Sequence, residues 1–259
     1  MIQLPWLDPQ TLEFPPLEMA LTDPDGLLAG GGDLHPDRLI RAYCLGIFPW
    51  FDDDQPILWW SPNPRSVVFP ERVHVSKSMN KTLRKTTYRV SCDTAFSQVL
   101  SQCAAPRAQT DNTWITDDMQ EAYLQLHNRG IAHSVEVWDQ DQLVGGLYGL
   151  ALGRVFFGES MFAKQTNASK IGFITLAQHL RSWGFTLIDC QVSSDHLNSL
   201  GAIEMPRAEF AEQLKRQADI SGASCWPGNI RELIIAQGQT NGSISSTVNK
   251  TTTHGTPTD

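Results

Sequence analysis

Apolar positions along the chain follow two rhythms, and the switches between them predict most of its elements. Leu39, Ile40, Tyr43 and Cys44 recur at helical spacing behind Pro36, a residue that a first helical turn tolerates, and Gly46 ends the run. Met119, Ala122, Tyr123 and Leu126 repeat that spacing, with Thr116 or Asp117 as cap and Gly130 as terminator. The pattern then becomes strand-like in HSVEVW, QLVGGLYGLAL and RVFFGESMF, joined by turns at Asp139–Asp141 and at Gly153. A helix from about Asn167 to Trp183 follows, then the short apolar run FTLIDCQV, which reads as a buried strand. A last helix is predicted over Arg207 to Gln217, behind Pro206 and with Phe210 and Leu214 four residues apart. Helices, an antiparallel meander, a helix and a further strand imply an α+β layered fold.

Composition divides the chain into three zones. Residues 1–62, rich in Pro, Gly and Trp, form a small N-terminal domain that needs a neighbour to bury a core. Residues 63–235 carry the alternating elements, and 236–259, almost without large apolar residues, are expected to be a disordered tail. Hydrophobic residues at 41% and charged ones at 19% suit a packed globule. The N-terminus has no basic-then-apolar leader and no stretch long enough to span a bilayer, so a cytoplasmic protein with no membrane partner is expected. Five scattered cysteines without CxxC or Cys/His spacing point to thiols in a reducing compartment and to no metal site.

A formal net charge of −8 argues mildly against a protein that coats nucleic acid, but local patches can reverse that. From Arg72 to Cys92 there are six Lys or Arg and no acidic residue. If SKSMNKTLRKT is helical, Lys77, Lys81, Arg84 and Lys85 share one face, which is either a solvated surface or a footprint for a polyanion. Just upstream, Phe48, Trp50, Phe51, Trp59 and Trp60 fall within 13 residues, broken by Pro49 and Pro56. Most of these rings are expected to be core, with one or two left as platforms for unpaired bases. Trp114, before a helix start and among polar neighbours, is core or partly exposed. The glycine triplet in GLLAGGGDL lacks a Walker Lys-Ser/Thr and reads as a tight turn packing two segments together.

Candidate chemistry lies in the strand-like runs. Glu159 interrupts FFGESMF, and Asp189 and Gln191 interrupt LIDCQV, where a period of two puts both on one strand face. Charged groups in such surroundings are ion-paired for structure or placed for function. His133, His196 and Ser160 are nearby in sequence, but no GxSxG elbow supports a serine triad.

In order, GLLAGGGDL, GIFPWF, WWSPNPR, TWIT, HSVEVW, LVGGLYG, GESMF, NASK, LIDCQV and SLGAIEMPR make the chain resemble the leucyl/phenylalanyl-tRNA–protein transferases from about Gly26 to Leu214. The resemblance implies a small N-terminal domain beside an N-acetyltransferase-like (GNAT-like) acyltransferase domain that needs no metal or coenzyme. It implies transfer of Leu or Phe, and less efficiently Met, from aminoacyl-tRNA to proteins with N-terminal Arg or Lys, marking them for N-end rule degradation. Matched motif by motif, Asp189 and Gln191 would be the catalytic pair and Glu159 part of the substrate site. Phe156 and Met161 would line the Leu/Phe pocket, Trp50 and Trp114 would contact the terminal adenosine, and Lys77, Lys81, Arg84 and Lys85 would meet the acceptor stem. Leu147 stands where some members carry Met. Of two rivals, a coenzyme-A acetyltransferase lacks its glycine loop in SMFAKQTNASK, and a bare RNA-binding module leaves Glu159, Asp189 and Gln191 without a purpose.

Overall fold

The computed structural model describes residues 4–105 and 115–235. Trp114 and the 236–259 tail lie outside the described residues. The first zone builds more than the single helix its periodicity predicts. Strands β1 (Trp6–Leu7), β2 (Leu27–Gly31), β3 (Phe48–Pro49) and β4 (Leu58–Trp60) form a small sheet in the order β1-β2-β4-β3, and α1 (Pro36–Cys44) joins β2 to β3. These strands escape a sequence reading because they are short and broken by glycine and proline. The glycine triplet packs two segments as expected. A Cβ on Gly31, whose φ is +77, would sit 2.5 Å from the Trp6 indole nitrogen.

The rest of the chain contributes β5 (Arg65–Val68), α2 (Lys77–Lys85), β6 (Arg89–Cys92), α3 (Phe96–Ala104), α4 (Asp117–Asn128), β7 (Ala132–Asp139), β8 (Gln142–Leu152) and β9 (Val155–Ala163). After these come α5 (Ala168–Ser182), β10 (Leu187–Asp189), α6 (Asp195–Asn198), β11 (Ile203–Met205), α7 (Arg207–Gln217) and β12 (Glu232–Leu233). Eight strands form one sheet in the order β11-β5-β10-β9-β8-β7-β6-β12. β10 runs parallel to β9, as the intervening helix α5 requires, and the other pairs are antiparallel. The 117–128 helix is capped as its sequence predicts, by Thr116 accepting from the Met119 N–H at 3.2 Å.

Alternation along the central strands sorts two cores. Tyr148, Leu150, Val155, Phe157 and Leu187 point to the face that carries α3, α4 and the small sheet, whereas Leu147, Ala151, Phe156 and Ile188 point to α5. Helix α5 lies close to the sheet because β8 offers it a bare glycine: a Cβ on Gly145 would come within 2.6 Å of the Ala168 Cβ. Gly145→Ala should therefore push the start of α5 outward. Overpacking of this kind costs about 1–3 kcal/mol, and thermal melts should show the variant unfolding several degrees below the parent; an unchanged midpoint would mean that α5 yields freely.

Candidate active site

Where β9 passes the end of β10, the sheet opens a cavity of about 480 Å³ on the α5 face. Leu147 from β8, Phe156 and Met161 from β9, Phe173 from α5 and Ile188 from β10 make an apolar wall. Glu159, Tyr148, Gln191 and His196 add polar groups to it. The β8–β9 register shifts between Tyr148 and Gly149, so Tyr148 faces Ser160, Gly149 faces Gly158, and Glu159 is the extra residue of the bulge. A bulge re-aims a side chain, and this one turns a carboxylate into the cavity wall.

That carboxylate has an unusual setting. Tyr123 on α4 donates a hydrogen bond to Glu159 Oε2 at 2.6 Å, and the Tyr43 hydroxyl lies 2.6 Å from that of Tyr123. With the Tyr123 proton engaged by Glu159, Tyr43 is left to donate to Tyr123. Oε1 is buried with no hydrogen-bond partner among the described residues, as are Gln191 Nε2, the Tyr148 hydroxyl and His196 Nε2. Burial pushes the Glu159 carboxyl up to about 7, outweighing the tyrosine hydrogen bonds that favour its charged form, while nearby Asp189 pushes it further up and Arg65 offsets part of the rise. Burial, and then the Lys170 charge, hold the His196 imidazole below its ordinary value.

The expected catalytic pair needs one correction. Strict alternation over LIDCQV predicts Asp189 and Gln191 on the same strand face, but β10 stops at Asp189 and Gln191 adopts a left-handed backbone with φ 56. Asp189 is fully buried on the opposite face and does not line the cavity, whereas Gln191 is turned back into it. Asp189 is ion-paired: Arg65 donates from Nε at 2.8 Å and from Nη2 at 2.7 Å to its two oxygens. Asp189 Oδ1 also accepts the Gln191 N–H at 3.0 Å, so the two residues are linked through backbone.

Of the other expected site residues, Glu159, Phe156 and Met161 meet Gln191 at the cavity, and so does Leu147. Trp50 is 50% exposed at the end of β3, held by the Trp60 indole N–H donating to its carbonyl at 2.6 Å, while Trp59 is fully buried. Lys77, Lys81, Arg84 and Lys85 form an exposed face of α2 opposite buried Met79 and Leu83, away from the cavity wall. Sequence reasoning missed Arg65, Tyr43 and Tyr123. The tyrosines counted only as apolar helix positions. Arg65 carried a related signal, a charge opening the run RSVVF, but it was absorbed into the motif WWSPNPR. Among the described residues no group of three or more His, Cys, Asp or Glu is placed to hold a metal ion, and no helix is long and apolar enough to cross a membrane.

An apolar chamber with a buried carboxylate and an unengaged amide in its wall suits an enzyme that seats an apolar group beside reacting polar atoms. Comparison with known proteins gives that class its family. The family described as Leucyl/phenylalanyl-tRNA protein transferase matches residues 67–215, and its N-terminal domain matches residues 32–63. A Leucyl/phenylalanyl-tRNA–protein transferase of Pseudomonas fluorescens is 60% identical over 223 residues, covering 86% of this chain and 99% of that protein. One from Pseudomonas syringae pv. tomato is 62% identical over 211 residues, covering 82% of this chain and 92% of its own length. The chain belongs to the leucyl/phenylalanyl-tRNA protein transferase family. A solved structure of a functionally unknown conserved protein from Staphylococcus epidermidis is 10% identical with a TM-score of 0.38, covering 70% of this chain and 68% of that one, a likeness too slight to carry an argument.

The Glu159 setting has a consequence for stability. Its folded value of about 7 lies above the usual carboxylate value, so the native state holds a proton that the unfolded chain has lost. This contribution is full below the unfolded value and disappears as pH rises through about 7. Melts of Glu159→Gln from pH 5 to 8 should lack that decline, gaining on the parent at pH 8 by at most about 3 kcal/mol. Parallel pH curves for the two proteins would exclude a desolvated Glu159.

Proposed function

We propose that this chain transfers Leu or Phe, and less efficiently Met, from aminoacyl-tRNA to the N-terminal Arg or Lys of acceptor proteins, in the cytoplasm and without a cofactor, marking them for N-end rule degradation. The observation that carries the reading is the cavity itself: an apolar wall of Leu147, Phe156, Met161 and Ile188 with the Gln191 amide and the Glu159 carboxylate beside it, in a chain 60% identical to named transferases. The aminoacyl side chain would enter the apolar part. A GNAT-like reading of residues 63–235 is supported by the antiparallel β7–β8–β9 meander followed by α5 and a strand parallel to β9. Residues 1–62 would then be the small domain, carrying Trp50 toward the terminal adenosine, with Trp114 as its partner.

An aminoacyl ester is already activated, so the enzyme's task is orientation, proton removal and oxyanion stabilisation. The acceptor's α-amine attacks the ester carbonyl, the C–N bond forms, and the ester C–O bond to the ribose breaks as the ribose oxygen takes a proton. Gln191 would accept a hydrogen bond from the attacking amine through its side-chain oxygen, leaving its unpartnered Nε2 to donate to an oxygen of the ester. Asp189 would act through Gln191, whose N–H it accepts. Glu159 would hold the cationic acceptor, whose charge favours the ionised carboxylate.

Incubation with radiolabelled Leu-tRNA and an Arg-starting peptide, without ATP or ribosomes, should label the peptide; an unlabelled peptide would end the proposal. At saturating substrates Gln191→Ala and Asp189→Asn should slow single-turnover transfer, whereas Glu159→Gln should chiefly raise KM for the peptide. Near-parental rates for Gln191→Ala and Asp189→Asn would remove those roles. Charge reversal at Lys81 and Arg84 should raise KM for charged tRNA and flatten its salt dependence, since phosphate contacts release counterions. The basic face has no part in binding if tRNA affinity stays the same at every salt concentration.

A further inference from the structure

We propose that Arg65 is a positioning residue for transfer, fixing the backbone at Gln191 through Asp189 and tying that turn to the small N-terminal sheet. It rests on reading Gln191 as the residue at the attacking amine. The Arg65 side chain is fully buried, and each of its three guanidinium nitrogens has a partner. Nε and Nη2 reach the two Asp189 oxygens at 2.8 and 2.7 Å, and Nη1 donates to the Gly46 carbonyl at 3.0 Å. Its guanidinium lies 4.8 Å from the Phe48 ring centre and 4.7 Å from that of Phe210. Gly46 and Phe48 belong to the segment that runs on to Trp50, and Phe210 belongs to α7.

The same two residues of β5 grip Gln191 from both sides. Arg65 fixes the carboxylate that accepts the Gln191 N–H at 3.0 Å, and the adjacent Ser66 N–H donates to the Gln191 carbonyl at 3.1 Å. The Ser66 carbonyl in turn accepts from the Cys190 N–H at 2.9 Å. A left-handed conformation at a residue other than glycine persists when its surroundings hold it. Here that conformation carries the amide from the Asp189 face into the cavity. A lysine keeps the charge of Arg65 but cannot satisfy two carboxylate oxygens and a carbonyl with one planar fork.

The test compares Arg65→Lys, Arg65→Met, Asp189→Asn, the Arg65→Met/Asp189→Asn double variant and Gln191→Ala in single-turnover transfer, with KM for Leu-tRNA and thermal melts measured alongside. A displaced reacting group costs up to roughly 100-fold, so Arg65→Lys, folded by its melt, should lose roughly 10- to 100-fold in rate with KM for Leu-tRNA within about twofold. The double variant should be no slower than the slower of its singles, because both break one connection. A parental rate for Arg65→Lys, or a double loss equal to the product of the single losses, would overturn the proposal. If Arg65→Met does not fold, Arg65→Lys replaces it in the cycle. A parental rate for Gln191→Ala would bring down the reading of Gln191 and this proposal together, whereas a slow Gln191→Ala beside an unaffected Arg65→Lys would remove Arg65 alone.

Discussion

The buried ion pair of Arg65 with Asp189 links residues 124 positions apart and joins three parts of the molecule. Two charges taken out of water cost several kcal/mol each, and removing one partner of such a pair typically destabilises by about 3–5 kcal/mol. The pair is tolerated because each of its members finds several partners. The guanidinium spends its donors on the carboxylate and on the Gly46 carbonyl between two aromatic rings, and the carboxylate accepts a backbone N–H in addition. The small sheet, α7 and the end of β10 are thereby held at one point, directly behind the cavity.

The two faces of the large sheet divide the labour. On the α5 face, aliphatic and aromatic side chains leave a chamber for an apolar group. On the other face, the Tyr43–Tyr123 pair reaches through the β8–β9 bulge to Glu159. The bulge lets a carboxylate supported from one core open into a cavity belonging to the other. With its affinity for protons near neutrality, Glu159 can change charge when a cation arrives, so binding and ionisation are coupled.

Much of this was legible in the residues. The helices over 36–44, 117–128, 168–182 and 207–217 and the three-stranded meander are readable from the spacing of their apolar positions, whereas the 77–85 helix enters only as a condition on its basic face and α3 is not read at all. β10 is readable as a short buried apolar run, β5 offers no run of that length, and the strands of the small sheet are two to five residues long. At the site, polar residues in apolar runs pointed to Glu159, Asp189 and Gln191, but their division between faces could not be inferred. Alternation assumes a regular strand, and Gln191 lies just beyond the end of one, in a backbone conformation that a long-range contact stabilises. Arg65 shows the same limit from the other side: a charge opening a strand is visible, its partner more than a hundred residues later is not.

The placement of β5 also sets an order of events on the ribosome. Its neighbours in the sheet are β10 and β11, both from the last third of the chain. At about 5–20 residues per second, the 124 residues from Arg65 to Asp189 take roughly 6–25 s to emerge, during which the strand has been made and its ladder has not. Pro62, Pro64 and Pro70 bracket that strand and supply no N–H for a stray partner, so the nascent segment carries its own guard against mispairing until the C-terminal third arrives to enclose it.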